Sequence, residues 1–190
     1  MSKMQLPKAN KSTTRKPTVY FGSVMEGAKS EASFEEIAKK RGNTVTKADN
    51  KTDIHNHIDY FMENKSGTKT SVDVKGMKRV SRGGERTEDI QWIEFLNVKG
   101  NKGWILGDAE LIAFEAESFF YLFKRIDLLD FCTEKCSREK QNNPRSMPGR
   151  GMLRSNYTPY RRTSSQRLDS IILAPMSDFL NNIAHLKWKK

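Results

Sequence analysis

Residues 54–79 read IHNHIDYFMENKSGTKTSVDVKGMKR, and this stretch decides the predicted fold. Two runs of alternating apolar and polar residues, His57 to Met62 and Thr70 to Lys75, are separated by a polar segment typical of a hairpin turn. Because side chains alternate between the two faces of a strand, Asp73 and Lys75 are predicted to share one face of the second strand. The sequence therefore predicts a β-hairpin that presents an acid and a base side by side.

Asp59 lies in the first strand of this hairpin, so we expect its carboxylate to converge with that of Asp73 from the neighbouring strand. Mg²⁺ binds carboxylate oxygens together with several waters, which leaves positions open for a phosphate. The metal would lower the pKa of a bound water and neutralise phosphoryl charge, while the ammonium of Lys75 orients the attacking water. These residue types at this spacing are suited to phosphodiester hydrolysis.

Asp59, followed by Asp73-Val74-Lys75 on the next strand and preceded by a helix that carries Glu35, resembles the PD-(D/E)xK nuclease superfamily. The resemblance covers roughly residues 31 to 137, and it extends to small phage-encoded nucleases. Ile58 stands where the pattern of the family has a proline. The resemblance implies an α/β fold with a restriction-endonuclease-like core, in which helices flank a central mixed β-sheet.

The resemblance also implies a function, that of a magnesium-dependent (or manganese-dependent) endonuclease. The expected catalytic residues are Asp59, Asp73, Lys75 and Glu35. The expected metal ligands are Asp59, Asp73 and, from the strand that follows, Glu94. An alternative of a different class is a basic nucleic-acid-binding protein or phage regulatory protein that has the same fold without catalysis.

The first helix is predicted to begin at Ser33, which forms a capping box with Glu36, and to end at Gly42. On this helix Glu35 lies nearer the buried stripe than Glu36, so it is the better placed of the two to reach a site beside the sheet. The residue that completes the site stays open among four candidates: Glu35, Glu36, Gln91 and Glu94.

Charge and composition point to the class of partner. The net charge is +11 and the isoelectric point is about 9.7, a balance that favours a polyanion. We expect nucleic acid, DNA rather than RNA, and a homodimer is plausible because cutting both strands of a duplex often takes two sites. No run of 18 apolar residues and no apolar leader is present, so we expect neither a membrane span nor secretion. We expect a cytoplasmic location, which is the host cytoplasm if the protein is phage-encoded.

Basic residues cluster after the second hairpin strand and again near residue 160. Lysine and arginine at such places bind the phosphate backbone and position it without reading the base sequence. The predicted nucleic-acid-binding residues are Lys78, Arg79, Arg82, Arg86, Arg161 and Arg162.

The predicted domain organisation is a basic flexible arm over residues 1–30, then a single nuclease-like domain over residues 31–190. Within that domain, a basic insertion at about 138–156 is rich in Pro, Gly, Asn and Ser and is predicted to be disordered.

The remaining predicted elements follow from apolar periodicity and turn residues. His55 and His57 are expected on the strand that carries Asp59. The others are strands at 44–46, 91–98, 104–106 (pairing back on the previous strand) and 167–173, a helix from Asp127 to about Ser137, and a last helix from Ser177 with Lys187, Lys189 and Lys190 at its end. Residues 110–114 and 119–123 are further apolar runs; helical and strand interpretations compete over 115–123, where the dense Phe and Tyr content favours a strand.

Overall fold

A computed structural model describes residues 18–79, 84–142, 157–158, 160–161 and 169–190, with side chains for 25–79, 84–137, 157–158 and 169–190. Its elements are, in chain order, α1 (Thr18–Lys40), β1 (Thr44–Lys47), α2 (Asn50–Asn56), β2 (Tyr60–Glu63), β3 (Lys69–Lys75), β4 (Lys78–Arg79), β5 (Arg86–Thr87), β6 (Ile90–Leu96), a 3₁₀ turn (Trp104–Leu106), β7 (Leu111–Glu115), β8 (Phe119–Lys124), α3 (Arg125–Asn142), β9 (Tyr160–Arg161), β10 (Ser170–Pro175), α4 (Met176–Asn182) and β11 (His185–Lys189).

The main sheet has six strands in the order β1-β2-β3-β7-β8-β11. Strands β3 and β7 pair in parallel, and the other neighbours pair antiparallel. A three-stranded sheet, β6-β10-β9, and a two-stranded ribbon, β4-β5, complete the described strands. The predicted α/β fold with a central mixed sheet flanked by helices is confirmed at this level.

The predicted hairpin is confirmed. Strands β2 and β3 pair antiparallel with Tyr60 opposite Val72. The turn is closed by a hydrogen bond from the Asn64 amide to the Thr68 carbonyl at 3.0 Å. Gly67 adopts a φ of 80° in this turn, a conformation that favours glycine because it has no Cβ. The turn holds the two strands in the register that places the predicted site.

Helix α1 covers one face of the main sheet. Phe34 is fully buried there, with ring-centroid distances of 5.4 Å to Phe120 and 5.7 Å to Trp188. Val72 and Val74 of β3 belong to the same apolar cluster. The two apolar residues of β3, Val72 and Val74, therefore pack against α1.

The opposite face of the sheet packs against β6, β10, α4 and the 3₁₀ turn. Phe114 of β7 lies there, 6.0 Å from the ring of Phe179 and 5.9 Å from that of Trp104. Since alternate residues of β3 face α1, Asp73 and Lys75 lie on this second face, as the alternation predicted.

Helix α1 begins at Thr18 rather than at Ser33, so residues 18–30 of the predicted flexible arm are helical. Residues 1–17 lie outside the described part of the chain. The Ser30 hydroxyl donates to the buried carboxylate of Glu115 at 2.6 Å. Such a tertiary contact explains why the helix continues through a local capping signal, which is a weaker effect.

The C-terminal lysines do not end a helix. Lys187 and Lys189 lie in β11, which pairs with β8, and Lys190 directly follows it. The prediction was wrong because Trp188 stacks on Phe34 at the sheet edge, and this burial favours an extended segment over a longer α4.

The histidines predicted on the strand of Asp59 lie elsewhere. His55 is in α2, whose N-cap Asp49 accepts a hydrogen bond from the Thr52 amide at 2.8 Å. His57 ends that helix with a φ of 54°. The capping interaction favours a helix in this segment, so the prediction of a strand that carries both histidines was wrong.

Residues 104–106 form a 3₁₀ turn instead of the predicted strand. The pairing back on β6 is limited to a bridge between Leu96 and Lys102 and a bond from the Gly103 amide to the Phe95 carbonyl at 2.8 Å. A Cβ at Gly103 would lie 2.2 Å from the backbone oxygen of Glu94, so this close approach requires glycine.

Two other predictions concern the C-terminal half. Helix α3 is longer than expected and extends to Asn142, into the predicted insertion at 138–156, whose residues 143–156 lie outside the described chain. The closing strand β10 is present, but it pairs with β6 and β9 rather than with the main sheet.

Among the described helices, none is both long and apolar enough to cross a membrane.

We expect Phe34→Ala to lower the free energy of unfolding by roughly 3–5 kcal/mol, because it removes a large side chain from a closed core. Phe61, 42% exposed on β2, provides a matched control, and Phe61→Ala should cost less than about 1 kcal/mol. Urea denaturation of the two variants measures the difference. Equal losses would contradict this description of the α1 face.

Candidate active site

Asp59 is held against β3 at the point where β2 begins. Its amide donates to the Val72 carbonyl at 2.9 Å, and its Oδ2 accepts a hydrogen bond from the Val74 amide at 2.7 Å. The residue is 9% exposed. These bonds fix the Asp59 carboxylate beside the segment of β3 that contains Asp73.

Asp73 and Lys75 form an ion pair on the face turned away from α1. The Nζ of Lys75 lies 2.6 Å from the Oδ1 of Asp73, whose side chain is 2% exposed. The other carboxylate oxygen of Asp73, Oδ2, is buried with no hydrogen-bond partner among the described residues. Lys75 is 20% exposed at its side chain and lies 5.3 Å from the ring of Trp104, so solvent reaches the ion pair at the lysine.

The charges of these three groups are strongly coupled. Burial, and then the negative charge of Asp73, raise the pKa of Asp59 to about 8. Burial also raises the pKa of Asp73, against the opposing charge of Lys75. For Lys75, burial acts to lower the pKa, but the carboxylates of Asp73 and Asp59 outweigh it and the pKa is raised. The lysine thus stays protonated at neutral pH, and its single positive charge is shared by two acids.

Carboxylates in a pair like this one are of the type that binds a divalent cation. Asp59 and Asp73 interact electrostatically, and the unpartnered Oδ2 of Asp73 is an oxygen ligand without a donor. Mg²⁺ commonly binds one or two carboxylates and keeps several waters. Within the described part of the chain, no group of three or more His, Cys, Asp or Glu is arranged to hold a metal. The predicted set of three ligands with Glu94 is therefore not assembled.

Glu94 interacts electrostatically with the lysine of the site. It lies on β6, and burial raises the pKa of its carboxyl against the positive charge of Lys75. Its charge adds to the negative surroundings of the Lys75 ammonium. Gln91, the other candidate on β6, is buried and donates its side-chain amide to the Glu88 carbonyl at 3.1 Å.

Glu35 is not brought to the aspartates. Its carboxylate accepts hydrogen bonds from Lys39 at 2.6 Å and from the Tyr60 hydroxyl at 3.3 Å. Tyr60 packs in the apolar cluster under α1, on the sheet face opposite the Asp73–Lys75 pair. Glu36 forms an exposed ion pair with Lys40 at 2.6 Å.

Glu31 is the acid of α1 whose charge reaches Asp59, where it contributes to the raised pKa. Its carboxylate is paired with Lys47 at 3.0 Å. The prediction missed Glu31 because it started the helix two residues later, at Ser33. A longer helix would have shown Glu31 one turn before Glu35, on the same side.

The predicted cations are divided between different environments. Arg79 pairs with Glu26 at 2.9 Å, and Arg86 pairs with the buried Glu115 at 2.7 Å. Lys78 precedes Arg79 on the ribbon and is exposed to solvent. Partial desolvation and then the charge of Lys75 lower its pKa, against the opposing charges of Asp73 and Glu94.

The other predicted cations are not described at the side-chain level. Arg82 and Arg162 lie outside the described residues, and Arg161 is placed on β9 by its backbone alone.

Comparison of the chain with family models, with curated proteins and with solved structures gave no match in any of the three. The resemblance to the PD-(D/E)xK superfamily therefore stays a hypothesis that depends on Asp59, Asp73 and Lys75.

The raised pKa of Asp59 gives a prediction for the metal-free protein. The pKa of this carboxyl is 3.8 in the unfolded chain and about 8 in the folded protein. Its protonation therefore stabilises the folded state at low pH, and this stabilisation is lost as the pH rises from about 4 to about 8. The stability of the wild type relative to Asp59→Asn should therefore decline between about pH 4 and pH 8, by at most ~1.4 kcal/mol per pH unit.

Urea denaturation in EDTA at several pH values measures this difference. Glu36→Gln is the control, because Glu36 is exposed and should show no decline over the same window. If the free energies of unfolding of the wild type and Asp59→Asn changed in parallel with pH, the burial of the Asp59 carboxyl beside Asp73 would be contradicted.

Proposed function

We propose that this protein is a divalent-metal-dependent nuclease with a restriction-endonuclease-like core, acting as an endonuclease on DNA in preference to RNA. The observation that carries the proposal is the convergence of Asp59 with the Asp73–Lys75 ion pair on one face of the sheet. Asp59 and Asp73 would hold Mg²⁺ or Mn²⁺. When bound, the metal would supply an activated water and neutralise charge on the phosphate.

Lys75 has a defined role in this proposal. Its pKa is raised, so it acts as a protonated donor that orients the attacking water and offsets negative charge on the phosphoryl oxygens. It is unsuited to take a proton as a general base. The ion pair with Asp73 and the ring of Trp104 hold its Nζ in place.

The architecture supports the fold part of the proposal. A helix is followed by a hairpin with Asp59 at the start of one strand and Asp73 and Lys75 on the next, and β3 lies inside the sheet between β2 and β7. An interior strand is held on both sides by ladder hydrogen bonds, which suits residues whose spacing must be kept within fractions of an ångström. Two copies would be required to cut both strands of a duplex from one site each.

A second function is favoured by a specific observation. The Asp73–Lys75 pair is closed by a direct contact of 2.6 Å, and no third ligand joins the aspartates among the described residues. A basic nucleic-acid-binding or phage regulatory protein that keeps the fold without catalysis would have such a site. It would bind DNA with an affinity that does not depend on Asp59, Asp73 or Lys75.

Cleavage assays test the proposal with plasmid, linear duplex and branched DNA in Mg²⁺ or Mn²⁺. We expect cleavage by the wild type and losses of roughly 10²-fold or more for Asp73→Asn and Lys75→Ala. Lys69→Ala is the matched control, because Lys69 lies on the same strand with its side chain 77% exposed. Glu35→Gln should keep activity, since Glu35 lies on the other face of the sheet.

No cleavage of any substrate, or equal activity in Lys75→Ala and Lys69→Ala, would end the nuclease proposal. Undiminished DNA binding by the same variants would then favour the non-catalytic alternative.

Thermal denaturation tests the metal site without any substrate. Binding to the folded state alone stabilises it by about 2.7 kcal/mol at a ligand concentration of 100 times Kd, so Mn²⁺ should raise the Tm of the wild type. Asp59→Asn and Asp73→Asn should abolish the rise, whereas Glu63→Gln, at a partly exposed acid of β2, should keep it. An equal rise in all four proteins would show that the ion binds elsewhere.

A further inference from the structure

The main sheet carries aromatic and basic side chains next to each other at the edge formed by β8 and β11. Phe119 and Tyr121 of β8 lie directly opposite Lys189 and Lys187 of β11. Since opposite residues of an antiparallel pair point to the same face, the four side chains form one surface. We call these four residues the β8–β11 surface.

Cation–π contacts join the rings and one lysine of this surface. The Nζ of Lys187 lies 3.9 Å from the ring centroid of Phe119 and 5.5 Å from that of Tyr121. The two ring centroids are 6.1 Å apart. Both aromatic residues are half-buried, and Lys187 and Lys189 are exposed. The surface therefore presents aromatic rings and ammonium groups to solvent together.

The two lysines of the surface are not neutralised by an acid. The next residue, Lys190, pairs with the buried Glu115 at 2.8 Å, whereas no acid that the structure describes forms an ion pair with Lys187 or Lys189. Glu117, which precedes β8, is exposed and pairs with neither. The positive charge of the surface is therefore available to an anionic partner.

A single strand of nucleic acid has both of the chemical features that this surface fits. Its phosphates are negative, which suits the lysines, and its unpaired bases expose flat faces, which suit the aromatic rings. Proteins that bind single strands combine the same two features, a positive track for the backbone and aromatic rings for the bases. A duplex keeps its bases stacked inside the helix, so the presence of rings between the lysines favours a single strand.

We propose that the β8–β11 surface binds single-stranded nucleic acid, with a base against Phe119 or Tyr121 and phosphates on Lys187 and Lys189. The side chain of Lys187 is exposed and long, so its ammonium can move from the ring of Phe119 to a phosphate. This exchange frees the ring for a base.

The surface lies on the same face of the main sheet as the candidate active site. Lys75 of β3 is in register with Phe114 of β7. Phe114 is in register with Tyr121, which lies opposite Lys187. Three strand spacings, about 14 Å in all, separate Lys75 from Lys187, and Phe179 of α4 packs on Phe114 between them.

This arrangement names a substrate class for the proposed nuclease, namely DNA with a single-stranded segment next to the bond that is cut. That step rests on the proposed function. Binding of a single strand to the β8–β11 surface does not.

Fluorescence anisotropy with a labelled oligothymidylate in EDTA tests the role of the rings. Phe119→Leu keeps an apolar side chain but removes the ring, and we expect it to weaken binding roughly 5-fold or more. Phe119→Tyr should bind like the wild type. Phe61→Leu is the matched control, because Phe61 is 42% exposed on β2 and no described cation lies over its ring. An oligomer of the same length without bases should bind the wild type and Phe119→Leu equally.

The salt dependence of the same binding tests the lysines. Loss of one phosphate contact to a single strand reduces the slope of log K against log salt by about 0.7. We expect this change in Lys187→Gln, and no change in Lys187→Arg or in Lys69→Gln, a control at an exposed lysine of β3. Because Lys187 is exposed, its substitution leaves the core intact, and this test stays decisive if Phe119→Leu lowers stability.

Equal binding of the oligothymidylate and the base-free oligomer by the wild type would overturn the proposal, because the rings would then contribute nothing. An unchanged salt slope in Lys187→Gln would also overturn it. If a blunt duplex lost as much affinity as the single strand in Phe119→Leu, the assignment to a single strand would be wrong.

These measurements separate the two proposals because EDTA prevents metal-dependent cleavage. Single-strand binding that depends on Phe119 and Lys187, in a protein without nuclease activity, would support the surface and reject the proposed function. Metal-dependent cleavage that depends on Asp73, with single-strand binding unchanged in Phe119→Leu and Lys187→Gln, would do the reverse.

Discussion

Two carboxylates lie next to each other in a place that is almost closed to water, and the centre of the structure depends on how they are accommodated. Burial of an unpaired charge is costly, so each acid must find a donor or a proton. Asp59 receives the backbone amide of Val74, and Asp73 receives the ammonium of Lys75. The remaining oxygen of Asp73 has no donor while Asp59 is ionised. A proton held between the two carboxyls, as the raised pKa of Asp59 provides, or a bound cation would offset this deficit.

The parts that the sequence predicted well depend on short-range geometry. A period of two along β3 sends Val72 and Val74 towards α1 and turns Asp73 and Lys75 away from it, whatever the rest of the chain does. The turn before β3 is equally local, since Asn64 closes it with its own side chain. For this reason the three central residues of the candidate site could be named from a stretch of chain that forms a single hairpin.

The parts that the sequence did not predict depend on distant contacts. The start of α1 is tied to Glu115 through Ser30, and β11 is tied to Phe34 through Trp188. Glu35 lies away from the two aspartates for the same reason: an angle around a helix says which way a side chain points, but not which face of a sheet the helix covers. Helical periodicity alone contains no information on that choice, which the long-range packing of Phe34 settles.

Two buried acids on neighbouring parallel strands show how a structural acid differs from a candidate functional one. Glu115 of β7 is surrounded by Ser30, Arg86 and Lys190, each within 2.8 Å of a carboxylate oxygen. Burial alone would raise its pKa, but the bonds from Lys190 and Ser30 outweigh burial and lower it. Asp73 of β3 has one cation and a free oxygen, and its pKa is raised. The contrast with the fully satisfied Glu115 is what makes Asp73 the candidate functional acid of the two.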